Sequence, residues 1–254
     1  MQNITKASTS KLNAIGIKFN TDKSSTWKGV DKDQQGVLGH DYLRKYEFFL
    51  RNFLKVKNFK MLELGAGPGK NIGASARVWN KYFSNAENIS VVDIQEKVST
   101  LSEIDPKVHP IHGDLGQIKF LNSLSDNNYH FIIDDASHFW EHQVIAFENL
   151  FGSLLPGGVY ICEDIQTSFK QYESNYSRSY KLDALSYFIQ LSLIVSSKRL
   201  SQRGHPITQH LIANTGITAL DQKELKSLEK LDQLSKKVSS ITFIQHSCII
   251  QKDV

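Results

Sequence analysis

The run FKMLELGAGPG, residues 59 to 69, passes from an apolar segment straight into glycines at 65, 67 and 69. An apolar stretch this short, stopped by glycine, has the length of a buried strand. Glycines at its end let the chain turn sharply and bring backbone N–H groups close to a ligand. In an open α/β sheet, ligands bind outside the carboxyl ends of the strands, so this turn marks the edge at which a site is expected. Two common nucleotide sites are disfavoured. The G-x-G-x-G spacing is not the G-x-G-x-x-G of dinucleotide folds, and Lys70 is followed by Asn71, not by the Ser or Thr of a P-loop. A tight strand-to-helix turn with no ligand is the competing reading.

Outward from this run, strand-like and helix-like segments alternate. NISVVDI (88–94), KVHPIHGD (107–114), YHFIIDD (129–135) and GGVYICED (157–164) read as further strands, with ARVWNKYF (76–83) and QVIAFENLFGSLL (143–155) as helical segments. Alternation at this spacing predicts a mostly parallel sheet joined by crossover helices on both faces. SSITFIQHSCIIQKD (239–253) has two apolar stretches divided by Gln245-His246, and predicts an antiparallel pair closing the sheet. Ahead of this unit, residues 1–57 read as an arm and one amphipathic helix, with Tyr42, Leu43, Tyr46, Phe49, Leu50, Phe53 and Leu54 at helical spacing. The main domain is expected over 58–254, with an insertion near 165–238. That insertion contains a polar, aromatic stretch, an apolar helix (LDALSYFIQLSLIVSSKRL, 182–200) and a charged helix expected to be solvated (DQKELKSLEKLDQLSKKV, 221–238).

The chemistry lies at the strand ends. FIIDDASHFWEH (131–142) delivers Asp134, Asp135 and then His138, and GGVYICED ends in Glu163 and Asp164. Neighbouring parallel strands present their carboxyl ends on one edge, so these acids are expected to converge. Carboxylates out of water repel one another unless something positive sits among them. Helix caps, a metal site and an acid/base site are the three readings. Oxygen-only donors favour Mg²⁺, Mn²⁺ or Ca²⁺ over zinc. Because adjacent strand residues face opposite ways, Asp134 and Asp135 are not expected to be equivalent, and Asp134 is expected to orient its neighbours from behind.

Composition sets the outer bounds. The 254 residues carry a formal charge of +4 and are 40% hydrophobic, enough for a substantial core. Basic residues are spread among acids, so no nucleic-acid partner is demanded. Cys162 and Cys248 lie far apart in sequence and read as core thiols of a reducing compartment. With no signal-like start and no apolar run of membrane-spanning length, the expectation is a cytoplasmic protein without a membrane partner. The apolar surface of the arm and first helix leads to the expectation of a homo-oligomer.

Glu63 before the glycines, Asp93 closing the second strand and Asp114 after the third together resemble the cofactor site of class I S-adenosylmethionine-dependent methyltransferases. The resemblance implies a Rossmann-like fold, with Glu63, Gly65 and Gly67 on the methionine and ribose side, Asp93 on the ribose and Asp114 near the adenine. TDKSS (21–25), LELGAGPG, VVDI, IIDDASH, AFENLFGSLLPGGVYICEDIQTS and ITFIQHSCIIQK follow one another as in the metal-dependent sugar O-methyltransferases of the mycinamicin and macrocin type. That resemblance implies Mg²⁺ or Mn²⁺ on Asp135, Glu163 and Asp164, His138 or an aspartate such as Asp135 as base, and a small sugar-containing acceptor. Thr21, Asp22 and Lys23 are implied to fold over the cofactor or acceptor. A catechol-like acceptor, or a non-catalytic binding module on the same fold, are the alternatives. The stretch 171–238 matches nothing in that family.

Overall fold

The computed structural model describes residues 10–29, 37–125, 127–197 and 222–254. Part of the expected arm and the middle of the expected insertion therefore lie outside the described residues. Strands β3 (Phe59–Leu64), β4 (Ala86–Asp93), β5 (Val108–His112), β6 (Tyr129–Asp134), β7 (Leu154–Cys162), β8 (Val238–Ile244) and β9 (Ser247–Lys252) form one sheet in the order β5-β4-β3-β6-β7-β9-β8. The first five are parallel, and β9 runs antiparallel to both β7 and β8. A ribbon of β1 (Thr26–Trp27) and β2 (Val37–Leu38) stands apart. The expected parallel sheet and its closing antiparallel pair are both present.

Side-chain alternation sorts the core into two layers. Leu62, Ile132, Tyr160 and Ile250 face one way, onto α4 (Ile118–Leu124), α5 (Trp140–Leu150), α6 (Glu173–Tyr176), α7 (Ala184–Ser196) and α8 (Gln222–Ser235). Met61, Phe131, Ile161 and Ile249 face the other way, onto α1 (Lys11–Lys18), α2 (Tyr42–Leu50) and α3 (Ala74–Tyr82). The N-terminal helices thus share a core with the sheet. Tyr42, Leu43, Tyr46 and Leu50 are buried in that layer while Phe48 is exposed. Most of the apolar stripe that suggested a second copy is covered by the chain itself.

Two expectations are corrected. Helix α5 ends at Leu150 and the chain is already strand at Leu154, because Leu154 pairs with Tyr129 before the irregularity around Gly157. The charged helix α8 is not free in solvent. Leu231 and Leu234, one turn apart, are buried against the core, and Lys230 pairs with Glu148 at 2.8 Å. Cys162 and Cys248 are buried free thiols, as expected, and they stand as register partners on β7 and β9.

The glycine turn is where the fold makes the site. Gly65 has φ +94°, and a Cβ placed there would meet the Asp135 carbonyl oxygen at 2.1 Å. Only glycine permits both the left-handed backbone and that approach. Gly65→Ala is accordingly expected to destabilise the protein by on the order of 2–3 kcal/mol. It should also push the Asp135 loop off the turn. Thermal melting checks the first effect, and faster amide hydrogen exchange over residues 135–137 checks the second.

Candidate functional site

A cavity of about 1060 Å³ opens along the carboxyl edge of the sheet. At one end lies the glycine turn, with Gly65 and Gly67 in its wall. The Gly65 N–H bonds to the Val92 carbonyl, and the Ala66 N–H bonds to Asp93 Oδ2 at 2.8 Å. Asp93 Oδ1 accepts from the Gln95 N–H, also at 2.8 Å. Both carboxylate oxygens are thus fixed by main-chain donors while the residue still borders the cavity. Asp114 borders it too, with Oδ1 accepting from the Gly116 N–H. Glu63 does not line the cavity. It follows Met61 onto the α3 face, is fully buried, and accepts from the Trp79 indole at 3.0 Å. Burial pushes its carboxyl up to about 7, although the Lys23 charge opposes this.

At the other end are Asp135, His138 and Asp164, one ligand atom of each lying within 4.8 Å of the others. His138 Nε2 stands 3.4 Å from Asp164 Oδ2 and 3.9 Å from Asp135 Oδ1. Its Nδ1 is buried with no hydrogen-bond partner, so Nε2 is the nitrogen turned to the site. The helix-cap reading of these acids finds no support. The residue before α5 is Phe139, without a side-chain cap, and Asp164 makes no capping bond to the turn it precedes. His138 and Asp164 both have positive φ, +56° and +55°. That conformation is uncommon for residues with a Cβ, and such outliers cluster at functional sites.

Glu163 is placed differently from its neighbours. It is not in the converging group, and its Oε2 accepts from Lys23 Nζ at 2.5 Å. The same ammonium contacts Asp135 Oδ2. Lys23 is 2% exposed and Glu163 1% exposed, so this is a buried pair. The arm therefore does fold over the site, as TDKSS implied, but its lysine goes into the carboxylates. Tyr42, which reads as a core residue of α2, donates its hydroxyl to Asp164 Oδ1 at 2.8 Å. His40 Nδ1 lies 3.0 Å from that hydroxyl. Asp134 does not reach this cluster. It follows Ile132 onto the α5 face, where Oδ2 is 3.4 Å from the Tyr160 hydroxyl and Oδ1 accepts from the Ala136 N–H. The expectation that it orients the other acids is corrected by the same alternation of side chains.

Burial pushes the Asp135 and Glu163 carboxyls up, and the Lys23 charge offsets this only in part. Burial would lower the Lys23 ammonium, but the facing Asp135 and Glu163 outweigh it and hold it well above the ordinary range. Asp164 is also subject to burial, yet His138 and the Tyr42 bond bring it below the ordinary range. With its three carboxylates ionised, the cluster holds more negative charge than its one lysine neutralises. The oxygens left open are Asp135 Oδ1, Asp164 Oδ2 and the buried, unpartnered Glu163 Oε1. Hard oxygen donors with excess negative charge are what a divalent cation such as Mg²⁺ requires.

Sequence reading missed Trp27 and Arg178 as wall residues of the cavity and Tyr42 as a partner of Asp164. The Arg178 guanidinium lies 4.6 Å over the Phe139 ring, and Arg178 and Ser179 are consecutive residues with positive φ. Their only sequence signal was membership of the polar, aromatic stretch after Asp164.

No protein-family model matches the chain. Over 143 residues it is 34% identical to an 8-demethyl-8-alpha-L-rhamnosyl tetracenomycin-C 2'-O-methyltransferase of Streptomyces olivaceus, a match covering 54% of this chain and 36% of that protein. Over 135 residues it is 30% identical to the mycinamicin VI 2''-O-methyltransferase of Micromonospora griseorubida, covering 51% and 33%. The chain thus spans about a third of the length of these curated relatives. Among solved structures it is similar to MycE methyltransferase from the mycinamycin biosynthetic pathway in complex with Mg, SAH and mycinamycin VI. The TM-score is 0.68 at 19% identity, covering 96% of this chain and 56% of that one. The fold is that of a class I methyltransferase. Within this fold the glycine turn follows the first strand of the main sheet, and the acid cluster follows the fourth and fifth.

The buried Asp134 supplies a pH test. Burial raises its carboxyl from 3.8 to about 7. The folded state then binds the proton more tightly than the unfolded one, so stability from this group is complete below about pH 4 and is lost as pH rises through about 7. Asp134→Asn removes that loss. The variant should gain on the wild type by on the order of 2–4 kcal/mol between pH 4.5 and pH 8, measured by denaturant unfolding. A difference that does not change with pH would contradict the assignment.

Proposed function

We propose that the protein is a Mg²⁺- or Mn²⁺-dependent O-methyltransferase that moves the methyl group of S-adenosylmethionine to a hydroxyl of a sugar-containing small molecule. The observation that carries this reading is the joining of two chemistries in one cavity. A glycine turn flanked by Asp93 and Asp114 lies at one end and an acid–histidine cluster at the other. The relatives named for sugar O-methylation and the structure containing Mg and SAH support it.

Gly65 and Gly67 let the main chain lie against the cofactor, and Asp93, held by the Ala66 and Gln95 N–H groups, retains lone pairs for ribose hydroxyls. Asp114 borders the adenine side. Glu63 acts from beneath the turn through Trp79, without touching the cofactor. Asp135, Asp164 and Glu163 would hold the cation. A cation bound there would supply Lewis-acid activation, lowering the pKa of an acceptor hydroxyl. His138 takes the hydroxyl proton on Nε2, the nitrogen that faces Asp135 and Asp164. The sugar acceptor is a small molecule, and no feature of the cavity calls for nucleic acid or membrane. Among the described residues, Ile17, Leu38 and Phe48 are exposed apolar side chains on the N-terminal side available to a homo-oligomeric contact.

One nitrogen cannot both bind the cation and take the proton, which makes the roles separable. His138→Ala should lower methyl transfer by about 10²- to 10⁴-fold. Its Mn²⁺ affinity, read from the electron paramagnetic resonance of free Mn²⁺, should stay within about threefold of the wild type, an expectation for a base outside the ligand set. Asp135→Asn should weaken Mn²⁺ binding and show partial rescue of turnover at high Mg²⁺. If His138→Ala loses Mn²⁺ as strongly as Asp135→Asn, the histidine is a ligand and the base is an aspartate. Failure of S-adenosylhomocysteine to bind in calorimetry would overturn the enzyme reading itself.

A further inference from the structure

Lys23 reaches the acidic centre from the other end of the chain, 112 residues before Asp135 and 140 before Glu163. Its backbone is tied down at both sides. The Thr21 N–H bonds to the Gly16 carbonyl, the Ser24 hydroxyl to the Thr21 carbonyl, and the Tyr42 N–H to the Lys23 carbonyl at 2.9 Å. Asn13 and Ser25 exchange two further bonds. The Lys23 carbonyl thus receives the first N–H of the helix whose Tyr42 hydroxyl holds Asp164. A single backbone junction therefore positions partners for all three carboxylates.

The oxygens used and the oxygens left follow a pattern. Lys23 engages Asp135 Oδ2 and Glu163 Oε2, and Tyr42 engages Asp164 Oδ1. With its acids ionised, the set of Asp135, Glu163, Asp164 and Lys23 carries a formal charge of −2, three negative charges against one positive. An unpaired buried carboxylate is costly, so an ammonium among three of them stabilises the folded chain when nothing else positive is present. The same ammonium, a few ångströms from where a dication would sit, repels it.

We propose that Lys23 is the resident counter-ion of the acidic centre, a positioning residue that holds Asp135 and Glu163 together in the metal-free protein and lowers the affinity of the site for a divalent cation. The second half rests on the proposed metal-dependent reading, and the first half does not.

The test uses the full chain and the variants Lys23→Met, which keeps the length of the side chain without its charge, and Lys23→Met/Glu163→Gln. Melting is followed in EDTA, and Mn²⁺ binding is read from the electron paramagnetic resonance of the free ion. In EDTA, Lys23→Met should melt below the wild type, and adding Glu163→Gln should restore a substantial part of the loss by removing the orphaned charge. Mn²⁺ should bind Lys23→Met about tenfold more tightly, or more, because the repelling charge is gone. Equal or weaker Mn²⁺ binding by Lys23→Met overturns the proposal, as does a double variant no more stable than Lys23→Met. If neither wild type nor Lys23→Met binds Mn²⁺, the metal-dependent reading falls, and the melting series alone decides the counter-ion role. Should Lys23→Met not fold in EDTA, folding of the double variant supports the proposal, and its failure to fold overturns it.

Discussion

Three carboxylates are held at the carboxyl ends of two adjacent parallel strands, and their mutual repulsion is the constraint around which the rest is arranged. Asp135 sits one residue past the end of β6, and Glu163 and Asp164 follow β7 directly. Pairing of β6 with β7 fixes their proximity, for Asp134 and Cys162 are register partners and the Glu163 N–H bonds to the Asp134 carbonyl. A sheet edge of this kind cannot spread its charges without breaking its ladder. The charge must be met where it stands, by the Lys23 ammonium and the Tyr42 hydroxyl.

This explains why the N-terminal segment belongs to the site as well as to the core. Leu12, Tyr46 and Leu50 fasten α1 and α2 to one face of the sheet. That apolar attachment holds Lys23 and Tyr42 in place while they bear on polar groups, so the cost of ordering a long lysine side chain is shared with the packing of two helices. At the other end of the cavity the glycine turn serves a different need. It brings the main chain against the Asp135 loop, and the same N–H that completes the turn, that of Ala66, orients Asp93. The glycine end and the acid end of the cavity are therefore mechanically linked through residues 64–66 and 134–136.

Much of this was legible in the sequence because strand ends announce themselves. The glycines after β3, Asp93 closing β4, Asp114 after β5, and the acids at the ends of β6 and β7 all stand where an apolar run stops, and Gly65, Gly67, Asp93, Asp114, Asp135 and Asp164 border the cavity. Glu63 and Asp134 fall outside it because they lie within the strands, and strand alternation turns them onto the layers holding Trp79 and Tyr160. The partners of the acids were not legible as partners. Lys23 and Tyr42 are separated from Asp135 and Asp164 by 112 and 122 residues, and nothing local distinguishes a lysine that will be buried from one that will be solvated. The charged helix α8 misled for a related reason, since two leucines among lysines and glutamates suffice to dock it once a core is there to receive them.

The central claim is that the acidic edge is a cation site whose negative charge the protein's own lysine only partly neutralises. Anomalous diffraction from crystals grown with Mn²⁺ and S-adenosylhomocysteine tests it most directly. The account predicts one manganese peak at the open oxygens of Asp135 and Asp164, beside Glu163, with Lys23 Nζ still on Asp135 Oδ2 and Glu163 Oε2. A cavity that holds S-adenosylhomocysteine with no manganese at these acids, at saturating Mn²⁺, would contradict it.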